Sequence, residues 1–335
     1  MSVYQPGDLL DLWLVVAVFA GTVLTGFAIT RIRAAAWARL AAWVLIVSAA
    51  VGVERLCARE PAGFRMLAVI GALLLGMKAI VSVESRRAGQ PPLSAVRWLA
   101  FACGWPGMRP ALFTTLGGPP LAGAGRLVVS GIKRVALGVA LVVLARLIWR
   151  HSVPWLPAVG TGIVATLPLL LGLSLIIHFG VFDVLAGGWR LAGVDCRPLF
   201  RTPLRSRNLT EFWGRRWNLA FSEMAAVAIY RPLVGRLGKG GATAAAFLYS
   251  GLVHELAISV PVMAGFGLPF FYFVLHGGLV LLERRLERAG RPIDRVGRVG
   301  MLWAFAWLAV PLPMLFHPYF LAGVVWPLMG CSSCH

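Results

Sequence analysis

Two stretches of this chain carry side chains able to do chemistry. The first is Leu248-Tyr249-Ser250-Gly251-Leu252-Val253-His254-Glu255-Leu256, in the middle of an apolar run over 242–262. Ionisable groups at that depth in an apolar helix are costly and mark a pathway or a reactive centre. An imidazole titrates near neutral pH, so His254 can take a proton from a weak nucleophile and return one. Glu255 is the next residue, about 100° further round a helix. It is therefore expected to pair with an arginine or orient backbone, not to lie along His254.

The second stretch is Asn208-Leu209-Thr210-Glu211-Phe212-Trp213-Gly214-Arg215-Arg216-Trp217-Asn218. Asn208 and Glu211 have the spacing of a capping box that starts a helix. Continued as a regular helix, the segment puts Trp213, Trp217 and Phe221 on one face. Glu211, Arg215, Asn218 and Ser222 fall on another. Composition alone favours an amphipathic helix lying in the headgroup interface, with an aromatic belt and basic anchors. His151, His178, His276 and His317 lack an acidic neighbour or sit at turns. No zinc-binding HExxH, phosphate loop or dinucleotide fingerprint is present. The glycines of 235–241 read as a flexible turn.

The elements that must position these residues follow from composition. The chain has 335 residues, 59% hydrophobic and only 13% charged, with a mean hydropathy of +0.80. A soluble domain carries about a quarter charged residues, so a soluble enzyme and a disordered chain are both excluded. The expected class is an all-α, multi-span integral membrane protein of one domain over 1–335. Apolar runs lie near 9–30, 36–53, 64–83, 135–149, 157–182, 242–262, 268–283 and 299–316. The run 135–149 is short unless it borrows from 127–134. The stretch 319–330 is too short for a confident span, which gives eight to nine spans. Residues 1–8 lack a basic segment, and the first run is span-length, so no cleavable signal is expected.

The formal net charge is +19, from 29 Arg, 3 Lys (Lys78, Lys133, Lys239) and 13 acidic residues. The arginines sit mainly between apolar runs, which reads as orientation signal and not as nucleic-acid binding. Asp8 and Asp11 precede the first run, and Arg31, Arg33 and Arg39 follow it, placing the N-terminus outside. Two long segments, 84–134 with seven basic residues and 183–240 with ten, then face the cytoplasm. Long segments of this kind tend to be functional. The five cysteines imply no disulfide framework.

Phe212-Trp213-Gly214-Arg215-Arg216-Trp217-Asn218, followed 36 residues later by His254 in Ser250-Gly251-Leu252-Val253-His254-Glu255, resembles the paired motif of membrane-bound O-acyltransferases (MBOAT), in particular the wax-synthase-like branch. Trp105-Pro106-Gly107-Met108-Arg109-Pro110 is similar to an element of bacterial members. The resemblance implies an MBOAT-like core with a buried chamber, in the bacterial cytoplasmic membrane. It implies transfer of a fatty acyl group from acyl-CoA or acyl-ACP to a lipid or alcohol hydroxyl. His254 would be the general base, and Asn218 would orient a substrate or His254. Phe212, Trp213, Arg215, Arg216, Trp217, Ser250 and Glu255 would line the substrates, with the arginines on the donor's phosphates. A Ser250–His254 acyl-enzyme ranks below direct attack, because no carboxylate is placed to orient the imidazole. No metal or tightly bound cofactor is implied.

The alternative class is a proton-coupled transporter or channel that relays protons through His254 and Glu255. It expects paired broken helices in two halves. The tail Cys331-Ser332-Ser333-Cys334-His335 has the CxxCH form of haem attachment. Covalent haem is not expected there, and the tail is expected to be dispensable.

The charge pattern makes a direct prediction. Single cysteines placed in 84–134 or 183–240 should resist a membrane-impermeant thiol reagent in intact cells and react after permeabilisation. Ready labelling from outside would invert the topology.

Overall fold

The computed structural model describes residues 3–151, 158–295 and 297–330, and among these it is helical throughout, with no strand. The helices are α1 (Leu9–Ile29), α2 (Ala35–Leu56), α3 (Ala62–Arg87), α4 (Ala95–Gly104), α5 (Ala124–Arg150), α6 (Ala158–Ser174) and α7 (Phe182–Leu191). They continue with α8 (Leu209–Glu211), α9 (Leu219–Ala225), α10 (Arg231–Val262), α11 (Leu268–Arg288), α12 (Gly297–Ala309), α13 (Leu312–Leu315) and α14 (Pro318–Phe320). Seven helical stretches among the described residues are long and apolar enough to cross a membrane. Large apolar side chains such as Trp13, Leu24, Trp37, Leu167 and Leu302 face outward, the surface of a protein solvated by lipid.

The short run 135–149 does borrow: α5 begins at Ala124 and has 27 residues. The run 268–283 continues as α11 to Arg288, ending in the charged string Glu283-Arg284-Arg285-Leu286-Glu287-Arg288. One expectation is refined. The long segment 183–240 is helical over its second part, where α9, a wide turn at Ala226–Tyr230 and α10 follow one another directly. The glycines of 235–241 do interrupt the helix: Gly238 is non-helical (φ 66, ψ 176), and α10 is two helices joined across a kink there. Such a backbone state suits glycine. The CxxCH tail lies outside the described residues.

The chain forms two compact units, one within Met1–Ala111 and Arg201–Phe320, the other within Leu112–Phe200 and Leu321–His335. In the first, α1, α2 and α3 pack together, α10 packs on α3, and α11 packs on α10. Lys78 of α3 is fully buried. Its ammonium donates to the carbonyls of Trp105 and Gly107 and lies over the Phe101 ring, 4.1 Å from its centroid. A buried lysine is tolerated only when so paired, and this one docks the Trp105–Pro110 element on α3. Arg109 of that element reaches Glu223 of α9 at 2.7 Å.

In the second unit, α5 buries Ala124, Gly131, Gly138 and Ala145, one small residue every seventh position. A methyl group on Gly138 would sit 2.6 Å from the Gly172 carbonyl oxygen, and one on Gly131 2.7 Å from that of Gly180. Small residues on both sides let the backbones touch, the usual basis of helix association in lipid. Arg134 of α5 pairs with Asp183 of α7.

Gly138→Leu is therefore expected to lower the thermal midpoint of the detergent-solubilised protein, since forcing bulk into a close-packed contact costs at least about 1–3 kcal/mol. Gly125→Ala, where a methyl meets open space, should leave it unchanged or raise it. An unaltered midpoint for Gly138→Leu would contradict this packing.

Candidate active site

The aromatic-rich stretch starts as its sequence dictates. Asn208 Oδ1 accepts from the Glu211 amide at 2.7 Å, and Glu211 Oε2 accepts from the Arg207 amide at 2.8 Å. This is a capping box whose return bond falls one residue early. A residue far away in sequence completes it. Glu283 of α11, buried, accepts from the Leu209 and Thr210 amides, each at 2.8 Å, from Thr210 Oγ1 at 2.6 Å and from Trp303 Nε1 at 3.0 Å. Asn208 Nδ2 donates to Asp294 at 3.2 Å.

The expected continuous helix does not follow. After α8 the chain makes a wide turn over Phe212–Arg216, closed by the Trp217 amide on the Phe212 carbonyl at 2.9 Å. Trp217 is extended, and Asn218 is left-handed, with φ 43 and ψ 62. Asn218 Oδ1 then accepts from the Phe221 amide at 3.2 Å and starts α9. Asparagine is among the few side chains that enter the left-handed region at small cost, and it also caps helices well. The polar stripe Glu211–Arg215–Asn218–Ser222 and the aromatic face Trp213–Trp217–Phe221 are thus both broken. Trp217 stacks on Phe212 with rings 14° from parallel, whereas Trp213 and Phe221 reach different rings.

Phe221 reaches His254 directly, and Trp213 reaches it through Phe273. Phe221 meets the imidazole edge-on at 6.0 Å between centroids, and Phe273 of α11 lies tilted against it at 4.1 Å. Trp213 packs on Phe273 at 5.5 Å and on His276 at 5.4 Å. Asn218 and His254 are joined through Phe221, whose amide the first holds and whose ring touches the second. The approach of α11 to α10 depends on glycine. A methyl on Gly277 would lie 2.8 Å from Phe247, and one on Gly251 3.0 Å from Phe270.

His254 Nδ1 faces the Ser250 carbonyl at 2.7 Å. A carbonyl only accepts, so Nδ1 carries the proton, and a neutral ring then has its lone pair on Nε2. It is the Ser250 carbonyl, and not its hydroxyl, that holds the ring, which gives no support to a serine nucleophile. Glu255 has both oxygens on backbone, accepting from the Gly267 amide at 2.8 Å and the Phe270 amide at 3.1 Å. The expected orientation of backbone is what it does, as a cap for α11. Arg216 is likewise committed, to Glu211 at 2.6 Å and Thr202 at 2.8 Å. Arg215 is exposed. Among the described residues no three His, Cys, Asp or Glu side chains are grouped as metal ligands.

Sequence reasoning missed Glu283, Phe273, Tyr249 and His276. The spacing Tyr272-Phe273-His276 on one helical face was the available signal for the aromatic residues. Glu283 gave none, because its partner amides lie 73 and 74 residues away.

Glu283→Ala should cost several kcal/mol, since four buried or part-buried donors lose their acceptor at about 1–3 kcal/mol each. A thermal midpoint no lower than that of Glu287→Ala, an exposed site one turn later, would show that Glu283 does not anchor the motif.

A family model described as the membrane bound O-acyl transferase family matches residues 196–274, which include Asn218, His254 and the aromatic residues around them. The long-chain-alcohol O-fatty-acyltransferase of Simmondsia chinensis is 34% identical over 110 residues, 29% of this chain and 30% of that protein. Two Arabidopsis thaliana relatives are named probable long-chain-alcohol O-fatty-acyltransferases. Number 6 is 32% identical over 31% of this chain and 32% of its own, and number 2 is 31% identical over 39% and 41%. The chain thus spans between about a third and two fifths of these three relatives. Over residues 196–274, which hold Asn218, His254, Trp213, Phe221, Tyr249 and Phe273, the chain is similar to the membrane bound O-acyl transferase family and to its long-chain-alcohol O-fatty-acyltransferases.

Proposed function

We propose that this protein is a multi-pass membrane O-acyltransferase that moves a fatty acyl group from a thioester donor to the hydroxyl of a long-chain alcohol. The observation that carries the reading is the state of His254. Its Nδ1 is spent on the Ser250 carbonyl, and two phenylalanine rings fix its plane. Nε2 is the atom left to accept a proton.

An alcohol is a poor nucleophile at neutral pH, and a positioned imidazole is the common remedy. The acceptor hydroxyl gives its proton to His254 Nε2 as its oxygen attacks the thioester carbon. The tetrahedral intermediate collapses, the C–S bond breaks, and the thiolate takes the proton back. Ester and thiol are the products, without a covalent enzyme intermediate. Asn218 sets the start of α9 and so the ring of Phe221 beside the base. Arg215, basic and exposed on the segment read as cytoplasmic, is suited to a phosphate of a soluble donor such as acyl-CoA or acyl-ACP. The apolar walls suit a fatty chain, and the bilayer delivers the acceptor. The setting is the bacterial cytoplasmic membrane, and no tightly bound cofactor takes part. The transporter reading is less favoured, because Glu255 caps α11 and His254 is bonded to the Ser250 carbonyl and not to Glu255.

Membranes containing the protein, supplied with labelled acyl-CoA and a series of fatty alcohols, should form wax-type ester. His254→Ala should abolish it, a loss of at least about 10²-fold for removal of a general base, with insertion and thermal midpoint retained. Turnover by a folded His254→Ala variant within a few-fold of wild type would refute His254 as the base.

A further inference from the structure

The ring cluster around His254 holds two hydrogen-bond donors without a partner among the described residues. Tyr249 Oη and Trp213 Nε1 are both buried without a partner. Buried polar atoms are normally paired, and each exception asks for a cause. Both belong to the site by contact. Tyr249 stacks on Phe221 at 6.1 Å with rings 20° apart, and Phe221 is the ring that meets His254 at 6.0 Å. Trp213 packs on Phe273, the ring at 4.1 Å from His254. Tyr249 is also held edge-on by Trp43 of α2 at 5.8 Å. Its ring is therefore fixed on two sides while its hydroxyl is enclosed without a hydrogen-bond partner. Along α10, Tyr249 and His254 stand five residues apart, about 7.5 Å of rise.

We propose that the Tyr249 hydroxyl is a catalytic hydrogen-bond donor to the carbonyl oxygen of the acyl thioester, seconded by the Trp213 indole N–H. This rests on the acyl-transfer reading and deepens it. When the alcohol oxygen attacks, the C=O pair moves onto the carbonyl oxygen, which becomes an oxyanion while the alcohol proton passes to His254 Nε2. When the C–S bond breaks, that pair returns to the carbonyl and the thiolate recovers the proton. His254 serves the nucleophile, so the oxyanion needs donors from elsewhere. A fixed donor in a water-poor site is worth most there, because it is already oriented when the charge appears. An unpaired phenol in a hydrophobic wall costs stability in the empty enzyme, which is the mark of a group kept for a substrate.

The test is Tyr249→Phe, which keeps the ring and removes only the oxygen, assayed in membranes with acyl-CoA and a long-chain alcohol alongside thermal unfolding. The expected result is a fall in kcat of about 10–10³-fold, a KM for the alcohol within a few-fold of wild type, and a thermal midpoint unchanged or raised. Trp213→Phe should show the same pattern to a smaller degree. An active wild type whose Tyr249→Phe variant keeps its kcat overturns the proposal alone. A kcat loss accompanied by a lowered midpoint also overturns it, since the hydroxyl would then be structural. A wild type that forms no ester overturns the acyl-transfer reading and this proposal with it.

Discussion

A carboxylate and a helix N-terminus share one problem inside an apolar protein, because neither finds water. This chain solves it twice by bringing the two together. Glu255 of α10 caps the start of α11, and Glu283 near the far end of α11 caps the start of α8. Each bond satisfies a group that would otherwise cost several kcal/mol in hydrocarbon. The two caps also close a circuit. From His254 the chain passes to Glu255, along α11 to Glu283, and across to Leu209 and Thr210. It then runs through the wide turn to Asn218, and by Phe221 back to His254.

The circuit explains how a loop-like motif holds a reactive ring steadily. A short helix, a wide turn and one left-handed residue have little stability of their own. Here they are pinned at Glu283, at Asn218 and by the Arg216 bonds to Glu211 and Thr202. The irregularity also gives the site its geometry, because it sends Phe221 onto the imidazole and Trp213 onto Phe273, the other ring against it. A regular helix would have placed both on one face.

Much of this could be read from the sequence, and the limits have physical causes. The membrane class and the long helices follow from apolar runs, because hydropathy reports backbone satisfaction over whole segments. The cap at Asn208 was legible because its partners are three and four residues away. The role of Glu255 was legible as a choice between an arginine and backbone, and the structure takes backbone. The wide turn was not legible, since it depends on Glu283, which is distant in sequence. Nor was the left-handed state of Asn218, because a residue of that type fits a helix face and a cap equally well. His276 was set aside for want of an acidic neighbour, yet it packs on Trp213 within the cluster. The pairing of Asn218 with His254 was legible only as a resemblance, and contact through Phe221 is its physical form.

The claim that His254 Nε2 is the base can be checked without measuring turnover. A structure determined with a non-transferable thioether analogue of acyl-CoA and a saturating fatty alcohol would show where the hydroxyl rests. The expected position is within about 3.2 Å of His254 Nε2, with Nδ1 still on the Ser250 carbonyl. An alcohol bound at Nδ1, or at a site where His254 cannot reach its oxygen directly or through one water, would contradict it.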